Sequence, residues 1–256
     1  MAERTGIAQG KTVLVTGAGG GLGRGFAIAL AVEGANVVVA ARRLQTGHET
    51  VGLVNQRGGD ALAVECDVTS LDDMRAAVVA AIDRYGQLDA VVHNALAPAG
   101  APTTVEALPD ETWNGMVATA IDGSYNAAIA SHAALVDSKG SLVVVTSRVA
   151  LYGNPQQPAY AMAKGAQRGF IKALAREWGP EGVRVNGLAP VAMSDAMEQL
   201  MTVDPKLRDR VLGRSSLRRI GDGAEDVGPV LAFLVSDASA YVTGQTFLAD
   251  GGGYML

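Results

Sequence analysis

A single cysteine, Cys66, stands in 256 residues, which excludes an intrachain disulfide and any metal cluster built on thiolates. Its place at the end of the apolar run Ala61-Leu-Ala-Val-Glu-Cys66 makes it an expected core residue. Histidine is nearly as scarce: His48, His93 and His132 are scattered without metal-ligand spacing, so no metal is expected. Basic residues do not predominate, and a net charge of −5 with a pI near 5.2 gives no footprint for nucleic acid or an anionic membrane. No run reaches the ~18 uncharged apolar residues of a membrane span. The start, Met1–Gln9, carries charge and no apolar core, so the expectation is a soluble, cytoplasmic protein whose partner is a small molecule. Aromatic residues are few, at 5%, whereas 32 glycines and abundant Ala and Val suit parallel strands with helices packed closely on them. A chain of this length is expected to form one large α/β domain.

What is present alternates between two periodicities. Short β-branched runs at Lys11–Thr16, Asn36–Ala41, Ala61–Cys66, Leu88–His93, Ser141–Ser147, Val183–Leu188 and Gln245–Ala249 read as strands. Helical patterns lie between them at Phe26–Glu33, Leu44–Gln56, Leu71–Tyr85, Asp110–Val136, Ala159–Trp178 and Ala224–Val235. This alternation predicts a doubly wound parallel sheet of about seven strands with helices on both faces. Three prolines make Ala97–Pro109 a loop over the sheet's C-terminal edge, and Ala189-Pro190 is expected to break the sixth strand. In the irregular stretch Val191–Arg219, Met193, Met197 and Met201 are spaced by four. Such a face fits the core and fits a lid over an apolar substrate alike, and a substrate lid is expected at about 191–219. The glycine-rich tail, Asp250-Gly-Gly-Gly-Tyr-Met-Leu256, fits either folding back or a subunit contact.

Three stretches carry chemistry. After the first strand comes Gly17-Ala-Gly-Gly-Gly-Leu-Gly23 and then a helix, so the glycines form more than a flexible linker: the backbone can turn sharply and approach a pyrophosphate that the helix N-terminus attracts. The second strand ends at Ala41 and Arg42, about twenty residues on, where an NAD site usually has an acid. A guanidinium there suits a 2′-phosphate and favours NADPH over NADH, although Arg42-Arg43 could simply lead into a solvated helix. Third, Tyr160 and Lys164 are four apart in a helical segment and share a face. A cation about 4 Å away could stabilise phenolate by as much as ~4 kcal/mol and bring the phenol from about pH 10 toward neutrality, fit to exchange a proton with a substrate oxygen. Ser147, at a strand's C-terminal end, faces the crevice where such sheets bind ligands and can hold the same oxygen. An isolated Y-x-x-x-K pair is more often a solvated helix face, and it is the glycine loop upstream that gives this one weight.

In order along the chain, these pieces resemble the short-chain dehydrogenase/reductase family from Lys11 to about Gly253, which implies a Rossmann-type fold. Thr16-Gly17-x-x-x-Gly21-x-Gly23, with Leu22 inside it, is similar to the family's cofactor loop, and Asp67-Val68 to its adenine-contacting pair. His93-Asn94-Ala95 resembles the strand end Asn-Asn-Ala-Gly, and Ser147, Tyr160 and Lys164 fall at the family's catalytic spacing. Arg184-Val-Asn186 through Pro190 resembles the segment flanking the nicotinamide, and Ser236-Asp-Ala-Ser through Asp250-Gly-Gly the C-terminal run. The stretch Thr146–Lys164 is most similar to the 3-oxoacyl-carrier-protein reductase branch. The resemblance implies hydride transfer between NADP(H) and a carbonyl or alcohol, with Tyr160 as acid/base, Ser147 hydrogen-bonding the oxygen, and Lys164 lowering the tyrosine pKa and holding the nicotinamide ribose. It implies a homotetramer built on the Asp110–Val136 and Tyr160–Trp178 helices.

The departures matter as well. His93 replaces an asparagine, and Leu96 stands where the family has a glycine at the cofactor. Ala120 stands where an asparagine usually orders a water linked to the lysine. Val191 follows Pro190 in place of glycine, Ser194-Asp195 falls near the position of a carboxamide-binding threonine, and Arg148 follows Ser147, expected to point away from it. Leu96 and Ala120 motivate a second hypothesis, a nucleotide-binding sensor or scaffold without turnover. A non-redox lyase or dehalogenase ranks last, because the glycine loop and Lys164 are both present.

Overall fold

Strands that carry Val, Leu and Ala on both faces need cover on both sides, and the chain supplies it. The computed structural model describes residues 6–255, so the first five residues and Leu256 lie outside the described residues. Seven strands, β1 (Thr12–Thr16), β2 (Asn36–Ala41), β3 (Ala61–Glu65), β4 (Ala90–His93), β5 (Ser141–Val145), β6 (Arg184–Pro190) and β7 (Thr246–Ala249), form one sheet in the order β3-β2-β1-β4-β5-β6-β7. Every pairing is parallel. The helices are α1 (Gly21–Val32), α2 (Leu44–Asn55), α3 (Leu71–Tyr85), α4 (Asp110–Met116), α5 (Gly123–Ser138), α6 (Val149–Tyr152), α7 (Pro158–Trp178), α8 (Asp195–Val203), α9 (Leu207–Arg214) and α10 (Gly228–Val235).

The period-two alternation of the strands divides the core. Val13, Val15, Val37, Val39, Val143 and Val145 pack with Phe26 and Leu30 of α1 and Leu231 and Leu234 of α10. Leu14, Val38, Leu142 and Val144 face the other way, onto Met74 of α3, Leu135 of α5 and Ile171 of α7. Cys66 is buried in that second layer, where burial, with a smaller push from Asp73, takes its thiol pKa up to about 12 and leaves it inert. A third, small cluster of Met116, Ala120, Ala159 and Ala163 lies at the sheet's C-terminal edge, with Leu96 and Tyr160 against it. Strand order reverses between β1 and β4, and the crevice beyond their C-terminal ends is where open α/β sheets take ligands. No helix among the described residues is long and apolar enough to cross a membrane.

Several boundaries differ from the sequence expectations. Helix α1 begins at Gly21, inside the glycine loop, where Leu22 alone among three glycines leaves the apolar period unmarked before Phe26. Strand β6 continues through Pro190 rather than breaking before it. Its last pairing with β5 is Val145 with Leu188, so beyond that point no β5 neighbour needs the N–H that proline lacks. The expected single helix from Asp110 widens into a π-helical turn at Val117–Asp122 between α4 and α5. Val149–Tyr152 forms a short helix that no periodicity signalled. Met193, Met197 and Met201 are all half-buried. The tail folds back: Ser215 and Ser216 hydroxyls donate to the Gly251 and Gly252 carbonyls, at 3.3 and 3.0 Å, and Tyr254 packs on Tyr152 at 5.5 Å between centroids.

Candidate active site

The glycine loop is shaped at two positions by what a side chain would do. Gly17 has φ +64°, and a Cβ there would stand 2.8 Å from the Ala95 Cα; a Cβ on Gly23 would stand 2.3 Å from the Gly17 carbonyl oxygen. The loop is tied from both sides. Asn94 Nδ2 donates to the Thr16 and Gly17 carbonyls at 3.0 and 3.3 Å, Thr50 Oγ1 to Ala18 at 2.8 Å, and Arg24 to Gly19 at 2.6 Å. Neither a side-chain cap nor an acidic residue occupies the first turn of α1, so its amides at Gly21, Leu22 and Gly23 are free for an anion. A dinucleotide fits this cradle: Gly17, Gly21, Leu22 and Gly23 would meet its pyrophosphate.

At the far end of the crevice, Arg42 is exposed beyond β2, close enough to Asp67 for its charge to count. The Thr69 amide, 2.9 Å away, is the main cause holding Asp67 below the usual carboxylate range; burial opposes it, and the Thr69 hydroxyl and Arg42 add to the lowering. Val68 is buried, its carbonyl accepting from Asn126 at 2.9 Å. Asp67 and Val68 would therefore border an adenosine, and Arg42 its ribose. Asn94, expected to meet the cofactor, spends its amide on the loop behind it, while Leu96 turns into the third apolar cluster. Pro190 ends β6 at the same edge, and Ser194 lies across from Gly21, with its Cβ 4.0 Å from where a Gly21 Cβ would be.

Ser147, Tyr160 and Lys164 come together where β5 ends. The Thr146 amide donates to the Leu188 carbonyl at 2.8 Å, and the Thr146 hydroxyl to the Lys164 carbonyl at 3.1 Å, which fixes α7 against the strand end. Ser147 is 8% exposed, with the Val149 amide donating to its hydroxyl at 3.2 Å. Lys164, 3% exposed, donates to the Val145 carbonyl at 2.7 Å and to Gln167 Oε1 at 3.1 Å. Burial draws the pKa of Lys164 down to about 7. The expectation that Lys164 lowers the phenol of Tyr160 is corrected: the ammonium lies 5.8 Å from the ring centroid and points to its own acceptors. Burial pushes Tyr160 above the usual phenol range; its hydrogen bond with Ser147 works against that, and Tyr152 adds to the rise.

Sequence reasoning missed Gln167 and the hub at Thr16. The Asn94 and Ala95 amides donate to Thr16 Oγ1 at 3.0 and 3.2 Å, and His93 Nδ1 lies 3.3 Å away. On its other side His93 Nε2 is 3.2 Å from the Thr119 carbonyl, which accepts only, so Nε2 carries the proton and Nδ1 accepts from Thr16. His93 thus links β1, β4 and the π-helical turn. Arg148 turns away from the site toward the tail, 3.5 Å from Asp250.

A family profile described as enoyl-(acyl carrier protein) reductase matches residues 17–253. Over 248 residues the chain is 32% identical to the 3-oxoacyl-(acyl-carrier-protein) reductase FabG of Staphylococcus aureus, covering 96% of this chain and 98% of that protein. Among solved structures, a 7 alpha-hydroxysteroid dehydrogenase complexed with NADH and 7-oxo glycochenodeoxycholic acid superposes with a TM-score of 0.89 at 28% identity, over 100% of this chain and 99% of that one. The 3-ketoacyl-(acyl-carrier-protein) reductase of Brucella melitensis complexed with NADH superposes at 0.86 with 29% identity, over 97% of this chain and 100% of that one.

The buried histidine has a measurable consequence. Burial, with a smaller push from Lys164, lowers the His93 pKa from 6.5 to about 3. Between those values the unfolded chain binds a proton that the folded chain refuses, so stability is complete above 6.5 and is lost as pH falls, by about 1.4 kcal/mol per pH unit from this group. His93→Asn removes that component. Urea unfolding at pH values from 7 to 4 is expected to show a shallower acid loss in the variant, and parallel curves would contradict the assignment.

Proposed function

The chain belongs to the short-chain dehydrogenase/reductase family, and from that premise we propose that it is an NADP(H)-dependent reductase of a carbonyl/secondary alcohol pair with Tyr160 as its acid/base. Oxidoreductase chemistry on C=O and CH–OH groups comes with the family. The observation that carries the finer reading is the convergence of Ser147, Tyr160 and Lys164 at the end of β5, beside a loop shaped for pyrophosphate.

Bound nicotinamide supplies the hydride. Tyr160 Oη gives its proton to the substrate oxygen, a role that suits a phenol held above its usual range and therefore protonated at neutral pH. Ser147 Oγ hydrogen-bonds the same oxygen and favours the phenolate left behind. Lys164 would hold the nicotinamide ribose, and its position is fixed by the Val145 carbonyl. Two observations favour turnover over the sensor reading: Leu96 packs on the third cluster, and Ala120 has Gln167 beside it. Tyr160→Phe is expected to remove measurable reduction, a loss of at least about 100-fold, while NADPH still binds. Wild-type turnover in that variant would overturn the assignment.

The cofactor preference rests on Arg42, with no acid at Ala41, at the adenosine end of the crevice. NADPH should bind more tightly than NADH by about tenfold, a figure discounted because Arg42 is exposed, and Arg42→Ala should erase the difference. Both dissociation constants in both proteins check this; equal affinities in the wild type would refute it.

The substrate side is bounded by the loop at 96–109, by Val149–Tyr152 with Tyr254 stacked on it, and by 191–219 acting as a lid. The half-buried Met193, Met197 and Met201 fit an apolar substrate, and Cys66 as a free buried thiol fits a cytoplasmic setting. Tyr125, 54% exposed on α5, borders a cleft of about 380 Å³ shared with Ala166 and Phe170 of α7, and Ile129, one turn further along α5, is 45% exposed. These faces would be covered by a second copy in a homotetramer. Light scattering at micromolar concentration should report four chains, and a single-chain species would contradict it.

A further inference from the structure

Gln167 is 2% exposed, yet each end of its amide has a partner of the right kind. Its Oε1 accepts from Lys164 Nζ at 3.1 Å, and its Nε2 donates to the Ala120 carbonyl at 3.1 Å and to Ser124 Oγ at 3.0 Å. Ser124 in turn donates to the Ala120 carbonyl at 2.5 Å. The amide can face only this way: reversed, its nitrogen would meet a donor at Lys164 and its oxygen an acceptor at Ala120. The Ala120 carbonyl, which accepts from both Gln167 and Ser124, lies in the π-helical turn Val117–Asp122. A three-membered chain therefore runs from the ammonium on α7, through one glutamine, to the wide turn between α4 and α5.

We propose that Gln167 is the positioning residue for Lys164, supplying from α7 the amide that the chain lacks at Ala120 and tethering the ammonium to the π-helical turn. The proposal rests on the reductase reading above, in which Lys164 serves the cofactor. Burial alone shifts Lys164, and no carboxylate contributes, so its acceptors are the Val145 carbonyl and the Gln167 oxygen. The titratable groups around it are His93 from β4, Tyr160 on its own helix with Tyr152 of α6 beside that ring, and Asp122, which lines the α5–α7 cleft on the outer side of Gln167. Without the Gln167 oxygen, the ammonium keeps one acceptor in a dry site and deprotonates more readily.

The test reads the lysine directly. In protein carrying ¹³C-labelled lysine, with the Lys164 resonance assigned by its loss in Lys164→Met, the cofactor-free titration midpoint should fall by about one pH unit in Gln167→Leu. Reduction in that variant should lose about tenfold in kcat with little change in KM, and the alkaline limb of its pH profile should move down with the lysine. Returning the amide from the other side, in Ala120→Asn/Gln167→Ala, should recover part of the activity lost in Gln167→Ala alone. Should Gln167→Leu fail to fold, Gln167→Glu carries the same test with the opposite sign, raising the midpoint. An unmoved midpoint and an unmoved pH profile overturn the proposal. A wild type that reduces no carbonyl overturns the reductase reading instead, and the lysine titration still decides the role of Gln167.

Discussion

A cation taken out of water must be met by acceptors or give up its proton, and Lys164 is such a cation, 3% exposed beneath the C-terminal edge of the sheet. Two oxygens meet it, and burial still brings its pKa down to about 7. The arrangement depends on where β5 stops. Val145 offers its carbonyl to Nζ, and Thr146 ties the Lys164 carbonyl to the strand end. Ser147 is the next residue, so one junction sets the serine, the lysine and, four residues back along the helix, Tyr160.

A second junction supports the first from the cofactor side. Thr16, the last residue of β1, receives the amides of Asn94 and Ala95, donates to His93, and lies just before the glycine whose positive φ opens the phosphate loop. His93 carries the connection to Thr119, next to the Ala120 carbonyl that Gln167 reaches. The π-helical turn thus receives one buried side chain from the strand β4 and another from the helix α7. Both contacts fall on adjacent carbonyls of this turn, Thr119 and Ala120, so a local departure from α-helical geometry becomes the place where the two halves of the site are joined.

The layers of the fold were legible because strand periodicity and helix periodicity differ. Val13, Leu14 and Val15 alternate between two cores as their apolar character requires on a sheet covered twice. Ser147, Tyr160 and Lys164 could be picked out because chain order and spacing place them at one strand end and on one helix face. What was not legible depended on contacts between distant segments. Gln167 looks like any polar helix residue until α5 is packed on it, and nothing in Val117–Asp122 marks a π-helical turn. The state of Tyr160 was misread because i,i+4 proximity brings two side chains near each other without deciding which way the ammonium points; it points to Val145 and Gln167. Leu96 stands where the motif has a glycine at the cofactor, and a linear motif does not show that its side chain packs on the Met116 and Ala120 cluster.

In the proposed reaction a nicotinamide and a carbonyl meet in this crevice and the reacting hydrogen passes between them. NADPH carrying deuterium at the transferable position of its nicotinamide, incubated with the wild type and a panel of apolar ketones, tests that claim most directly by mass spectrometry of the alcohols formed. The expected product is a secondary alcohol bearing one deuterium on the former carbonyl carbon. Bound NADPH with no deuterium delivered to any carbonyl would contradict it.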